Sequence, residues 1–303
     1  MEKVAVIGLG MIGYELVKKY LELDDYEIYI ITRSDKGFFK DVKKYFVDIT
    51  IENKIKETIR KINPDFVINT AAMTNVDLCE IERDLAYKIN ALGAKYIGEI
   101  CKEIGCNLCH ISTDYVFDGE KGNYTEEDII NPINYYGYTK AEGERLLNEL
   151  DYDAISIVRI SVPYCISPIK VNFFMWVLEK LKNNEVIKAV IDQWNTPTYV
   201  NELVEGIIKI YENDINGLLH FGGGEKVSRY EFALKVAEVF GYNKDLIKPI
   251  KSSELGWKAK RPKDTSLNSE KVEKLLNIKL KNVDEALNEL NKTFAGINIR
   301  RNI

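Results

Sequence analysis

Histidine, proline and long apolar runs are scarce in this chain. Only two His and seven Pro occur in 303 residues, and no stretch approaches the ~18 consecutive apolar residues that a membrane-spanning helix needs. Met1, Glu2 and Lys3 lead straight into the strand-like run Val4 to Ile7, which leaves no room for a secretory signal. The expectation is a cytoplasmic protein with no membrane partner. An excess of one charge is missing too: 42 Lys and Arg stand against 47 Asp and Glu, for a net charge of -5, with both signs interspersed along the chain. Without a basic stripe there is no electrostatic drive toward nucleic acid.

Cysteine offers little to build on. The five cysteines, Cys79, Cys101, Cys106, Cys109 and Cys165, are an odd number and read as reduced thiols. Cys106 and Cys109 have CxxC spacing, but side chains three apart on a strand point to opposite faces. With two His and no second CxxC, no zinc ligand set can be completed, so no metal is expected. Internal repeats and low-complexity segments are also absent.

What is present begins with Val4 to Ile7, then Gly8, Leu9, Gly10, Met11, Ile12 and Gly13, then a helical pattern through Leu23. This strand, GxGxxG loop and helix predict a dinucleotide site. Glycines let the backbone turn tightly and approach a pyrophosphate, whose charge is met by the free N–H groups and positive end of the helix. The second strand, Glu27 to Ile31, runs into Thr32, Arg33, Ser34 and Asp35. An acid at this tip reads the 2′-hydroxyl of NAD and an Arg accommodates the 2′-phosphate of NADP. Arg33 is nearer the tip than Asp35, which favours NADPH, with NADH the alternative.

Strands at Lys44 to Val47, Phe66 to Asn69, Asn107 to Ser112 and Ala154 to Ile160 alternate with helices at Glu52 to Ile62, Leu85 to Ile104 and Asn134 to Leu150. This is the pattern of an α/β, Rossmann-type, doubly wound parallel sheet, in which function gathers at the carboxyl ends of the strands. Polar clusters fall there: Asp48, Asn69 to Ala72, and Ser112 to Tyr115. Residues 1–160 are expected to form the NAD(P)-binding domain. Residues 161–303 no longer alternate simply and are expected to form a smaller substrate-binding lobe interwoven with the end of the sheet.

Tyr136 and Lys140 are four residues apart in the first turns of the helix after the Ser112 to Tyr115 cluster. They share a face, where an ammonium lowers the pKa of a phenol and makes the pair a usable acid/base. Tyr14 and Lys18 have the same spacing but lie behind the glycine loop, where they cannot reach past the pyrophosphate. They are read as a decoy.

Asn69 to Glu80 with Asn90 to Ala94, His110 to Gly119, Tyr136 to Glu144, Val158 to Ser161, Asp192-Gln193 with Pro197-Thr198, and Arg261-Pro262 with Leu267 resemble the dTDP-4-dehydrorhamnose reductases of the extended short-chain dehydrogenase/reductase superfamily. The resemblance implies reduction of the C4 ketone of a nucleotide-linked deoxysugar. It gives Tyr136 the role of proton donor, has Lys140 lower the phenol pKa and hold the cofactor ribose, and sets Thr113 against the carbonyl oxygen. Asp114, Tyr115, Gln193 and Arg261 fall on the sugar side and the cofactor contacts, besides Tyr136 and Lys140, are Gly8, Gly10, Met11, Ile12, Gly13, Arg33, Asp48, Ile49, Ala71, Ala72 and Met73. A nucleotide-sugar epimerase or dehydratase is one alternative, and an NADP-binding regulatory subunit like that of methionine adenosyltransferase is another. A homodimer is compatible with either. The chain departs from the family in its GxGxxG spacing, where GxxGxxG is usual. It also has Val162-Pro163 where a Trp commonly stands, so Trp194 is expected to supply the missing apolar wall.

Overall fold

Near-continuous apolar runs in the central strands produce a sheet buried on both faces. The computed structural model describes residues 1–301, with side chains described through residue 293. Strands β1 (Glu2–Ile7), β2 (Tyr26–Thr32), β3 (Lys43–Phe46), β4 (Phe66–Asn69), β5 (Asn107–Thr113) and β6 (Ile155–Ile160) are all parallel. Val4, Val6, Ile28 and Ile30 enter one core, while Ala5, Ile7, Tyr29 and Ile31 enter the opposite one. Cys106 and Cys109 fall in these two different cores, both as buried free thiols.

Helices α1 (Met11–Leu23), α2 (Glu52–Ile62), α3 (Val76–Ile81), α4 (Arg83–Tyr87), α5 (Gly93–Ile104) and α6 (Tyr135–Asn148) make the crossovers. Leu16 and Val17 of α1 cover one face, and Ile55, Ile59, Ile97 and Ile100 of α2 and α5 cover the other. The remaining elements are α7 (Phe173–Lys182), β7 (Ile187–Val190), β8 (Trp194–Asn195), α8 (Val200–Glu212), β9 (Gly217–Phe221), β10 (Val227–Ser228), α9 (Arg229–Phe240), β11 (Ile247–Ile250), α10 (Glu270–Leu276) and α11 (Val283–Arg301). Strand β9 returns to the main sheet in the order β3-β2-β1-β4-β5-β6-β9. That order reverses between β1 and β4, which opens a crevice at the carboxyl ends of the strands. A separate core of Phe174, Val177, Phe232, Val236 and Leu287 holds α7, α9 and the start of α11 together. No helix among the described residues is long and apolar enough to cross a membrane.

The expected doubly wound sheet is present. The helix expected over Leu85 to Ile104 is instead α4, a π-helical turn at Lys88–Leu92, and α5. That turn points Asn90 inward, where Nδ2 donates to Met73 O (3.1 Å) and Thr139 Oγ1 (3.0 Å) and Oδ1 accepts from Met73 N (2.8 Å). A regular helix read from periodicity alone gives no hint of this polar demand. The final helix, α11, closes the chain over Val283–Arg301.

Beneath the carboxyl edge lies a buried ionic cluster. Glu144 on α6 accepts from Arg159 Nη2 on β6 (2.7 Å) and from the Ser112 hydroxyl. Arg159 Nη1 lies 3.1 Å from His220 Nε2, and His220 Nδ1 lies 3.0 Å from Tyr124 O. A carbonyl can only accept, so the ring proton is on Nδ1 and Nε2 accepts from Arg159. Burial, then the Arg159 charge, hold the His220 pKa down to about 3. The fold therefore requires neutral His220. Its contribution to stability is complete above the ordinary value of 6.5 and is lost as pH falls toward 3. The unfolding free energy of wild type minus that of His220→Gln is expected to fall with acidification across this window, by up to ~1.4 kcal/mol per pH unit. Urea titrations at a series of pH values measure it, and a pH-independent difference would contradict the assignment.

Candidate active site

The strand-order reversal sets the β1–α1 loop beside the loop after β4. Gly8 has φ of 92°, and a Cβ there would meet Ala71 N at 2.7 Å, so only glycine lets the two loops pass. Gly10 caps α1 without any side-chain hydrogen bond, and nothing lies within 4 Å of where its Cβ would be. The first N–H groups of a helix have no partner within it. Here they belong to Met11, Ile12 and Gly13, and Met11 and Ile12 line an adjoining cleft of about 540 Å³. This open, positively polarised terminus fits the pyrophosphate of a dinucleotide.

At the tip of β2, Arg33 and Asp35 are both exposed. Asp35 accepts from Gly37 N (2.9 Å) and pairs with Lys44 (3.4 Å), and these contacts lower its pKa, Gly37 first. Asp48 is occupied in a turn, accepting from Thr50 N (2.9 Å) and Thr50 Oγ1 (2.7 Å). Ile49 is buried in the core behind it. The backbone of the Ala71 to Met73 loop is held by two buried asparagines, Asn69 accepting from Ala71 N (3.1 Å) and Asn90 gripping Met73.

Helix α6 starts directly on the exit of β5. Asn134 caps it by accepting from Gly137 N (2.9 Å), and a Cβ on Gly137 would lie 2.1 Å from Tyr115 O. The close approach brings Tyr136 and Lys140 to the cleft wall with Thr113, Asp114 and Tyr115. Lys140 is 1% exposed, with Nζ donating to Ile111 O (2.7 Å) and lying 3.0 Å from His110 Nε2. Burial pushes its pKa down to about 8, with the Glu144 charge opposing. Burial pushes the half-buried Tyr136 phenol upward, opposed by Thr113. The sequence led us to expect Lys140 to lower that phenol. Instead the amine addresses Ile111 and His110, and desolvation dominates.

Asp114 is buried, and burial raises its pKa against the hydroxyls of Thr265, Ser161 and Thr113. Oδ2 accepts from Ser161 (2.7 Å) and Thr265 (2.5 Å), and Oδ1 accepts from Thr113 (3.1 Å). The carboxylate thus pins the ends of β5 and β6 and the C-terminal segment to one point. Arg229, the first residue of α9, also lines the cleft, its guanidinium 4.9 Å above the Phe173 ring. Its place was not anticipated. The Ser228/Glu231 capping box marks where α9 begins, but not that this helix start faces the cleft.

The model of the RmlD substrate binding domain family matches residues 2–295. A dTDP-4-dehydrorhamnose reductase from Aggregatibacter actinomycetemcomitans is 33% identical across 96% of this chain and 98% of its own length. The chain belongs to the dTDP-4-dehydrorhamnose reductase family. A Bacillus anthracis dTDP-4-dehydrorhamnose reductase solved in complex with NADP superposes with a TM-score of 0.86, at 32% identity over 96% of this chain and 99% of that one. A hypothetical member from Sulfolobus tokodaii gives 0.82 at 36% identity, over 92% and 98%.

Not every residue singled out in the sequence reaches the cleft of this family member. Gln193 is 8% exposed, with Nε2 lacking a partner among the described residues. Arg261 pairs with Asp77 (3.0 Å) and lies 5.1 Å over the Trp257 ring. Neither is part of the cleft wall, and nor is Trp194, which packs under Lys226 (5.7 Å). Trp194 therefore does not replace the missing Trp. The decoy pair is also remote: Tyr14 packs on Phe39 (4.9 Å) and Lys18 pairs with Glu15 (3.7 Å).

Val162 does line the cleft, with φ of 43°. A β-branched residue before proline is disfavoured in this left-handed region on both counts. It is held there by its neighbours, Ser161 N donating to Thr198 Oγ1 (3.0 Å) and Tyr164 N to Thr198 O (3.0 Å). Relief of strain of ~1–3 kcal/mol should offset the ~0.5–1 kcal/mol backbone entropy cost of glycine. Val162→Gly is expected to leave the thermal midpoint unchanged or raised. A clear loss of stability would show that the backbone there is unstrained.

Proposed function

We propose that this protein reduces the 4-keto group of a nucleotide-linked deoxysugar with NADPH, converting dTDP-4-dehydrorhamnose to dTDP-L-rhamnose. The observation that carries this reading is the meeting of Thr113, Tyr136 and Lys140 in one cleft with the open terminus of α1. Bound NADPH supplies the hydride. Met11 and Ile12 hold the pyrophosphate, with Gly8, Gly10 and Gly13 shaping the turn. Arg33, near Lys36 and Lys44 at the same strand tip, takes the 2′-phosphate, while Asp48, Ile49, Ala71, Ala72 and Met73 line the remaining path of the cofactor.

Tyr136 donates a proton to the developing C4 alkoxide. Thr113 gives up its bond to Asp114 to donate to the same oxygen as charge grows on it. Asp114 and Tyr115 form the sugar side with Arg229, whose cation suits a diphosphate. Gln193 and Arg261 stand outside the cleft wall, Arg261 held by Asp77 at 3.0 Å, and take no direct part in this step. The five buried free thiols suit a reducing cytoplasm. We also take the functional unit to be a homodimer, which light scattering of the purified protein decides.

NADPH oxidation driven by dTDP-4-dehydrorhamnose is the direct assay, and absence of turnover would overturn the reading. Tyr136→Phe should lower kcat by ~10²- to 10⁴-fold with little change in cofactor affinity. Tyr14→Phe should behave as wild type, and equal effects of the two would mean that the wrong pair was chosen. NADPH should bind more tightly than NADH, and Arg33→Ala should narrow the ratio by roughly one to two decades, the value of a charge-assisted phosphate contact. Equal affinities in the wild type would remove Arg33 from the site.

A further inference from the structure

Lys140 is one end of a buried chain that the reduction as described does not use. Asn69 and His110 are each 1% exposed. Asn69 Nδ2 lies 3.0 Å from His110 Nδ1, and His110 Nε2 lies 3.0 Å from Lys140 Nζ. The Asn69 amide cannot turn freely, because its Oδ1 accepts the Ala71 N–H at 3.1 Å. Its NH₂ group therefore faces the ring and must donate, which makes Nδ1 an acceptor. A neutral imidazole then carries its single proton on Nε2, aimed at Lys140. That N–H meets a lone pair when the lysine is an amine, and another proton when it is an ammonium.

We propose that His110, locked by Asn69 in the Nε2–H form, is a positioning residue that favours the amine of Lys140 and so brings the loss of this lysine's proton into the working pH range. The proposal rests on the reductase reading above. In each turnover the Tyr136 O–H bond breaks as the C4 O–H bond forms, and the phenolate regains its proton from solvent in the cleft that Lys140 also lines. When Lys140 loses its proton, the amine accepts the His110 Nε2–H bond until a solvent proton restores the ammonium. An ordinary lysine holds its proton too tightly for this at neutral pH.

The charged and titratable groups around Lys140 do not supply the same bias. Glu144 and Tyr136 lie one turn away on α6, Asp114 follows β5, and Arg159 on β6 is paired with Glu144 at 2.7 Å. Glu144 stabilises the ammonium, and Arg159 neutralises part of that effect. Burial acts in the same direction as the ring, and the Lys140 pKa is held down to about 8.

Only two His occur in the chain, so ¹⁵N-histidine labelling gives two ring systems to read. His110 is expected as Nε2–H, and His220 as the opposite tautomer, its Nδ1 facing Tyr124 O at 3.0 Å. Asn69→Asp keeps the shape and an oxygen for the Ala71 N–H but sets an acceptor against Nδ1, which should reverse the His110 tautomer. In Asn69→Asp and His110→Gln the alkaline limb of kcat/KM should move up by about one pH unit or more, with the KM for NADPH changing less than about threefold. A role confined to packing would lower activity at every pH and leave the limb in place. Wild-type His110 in the Nδ1–H form, or an unmoved limb, would overturn the proposal. The spectra require neither cofactor nor turnover, so they decide the tautomer even if no 4-keto sugar is reduced. His220→Gln assigns the rings should His110→Gln fail to fold.

Discussion

The site depends on burying a lysine amine at the exit of a central strand. A charged ammonium taken from water costs several kcal/mol unless it is hydrogen-bonded or loses its proton. Lys140 answers that cost with one bond to the backbone at Ile111 O and one contact with His110. Both partners lie on β5, so the amine fixes α6 against that strand at one register. Tyr136 is then carried to the cleft wall, and Gly137 permits the contact by having no side chain where Tyr115 O passes. One turn further on, Glu144 fastens the same helix to Arg159 on β6.

A second polar node joins the sheet to the segment around Thr265. Asp114 collects hydroxyls from three segments far apart in sequence, Thr113, Ser161 and Thr265. Its buried carboxylate has the partners that make such burial tolerable. The neighbouring Val162 sits in an unfavourable backbone region because the bonds of Ser161 and Tyr164 to Thr198 leave it no other course. At Val162 the chain therefore presents a strained backbone turn to the cleft.

The parallel sheet was legible in the sequence because short apolar runs alternate with helical stretches and glycine marks the first turn. The Tyr136/Lys140 pair was legible for a similar local reason, a fixed helical spacing behind a strand exit. Spacing could not say what Lys140 touches. The roles of Asn69, Asn90 and His110 depend on tertiary partners 41, 49 and 30 residues away. Arg229 was missed because the pairing of β8 with β10, which turns α9 toward the cleft, involves two-residue strands with no periodicity to read. Arg261 and Trp194 were expected in the cleft for want of knowledge of Asp77 and Lys226, which hold them elsewhere.

The most direct test of this architecture is the protonation of Lys140 itself. Its ¹³Cε resonance, identified by its loss in Lys140→Met, can be followed through an alkaline titration of the cofactor-free protein. A buried amine held against His110 and Ile111 should titrate near pH 8, while the exposed lysines follow the ordinary value of 10.5. A Lys140 midpoint at or above 10.5 would show that the ammonium is solvated or ion-paired, and would contradict the buried-amine basis of the site.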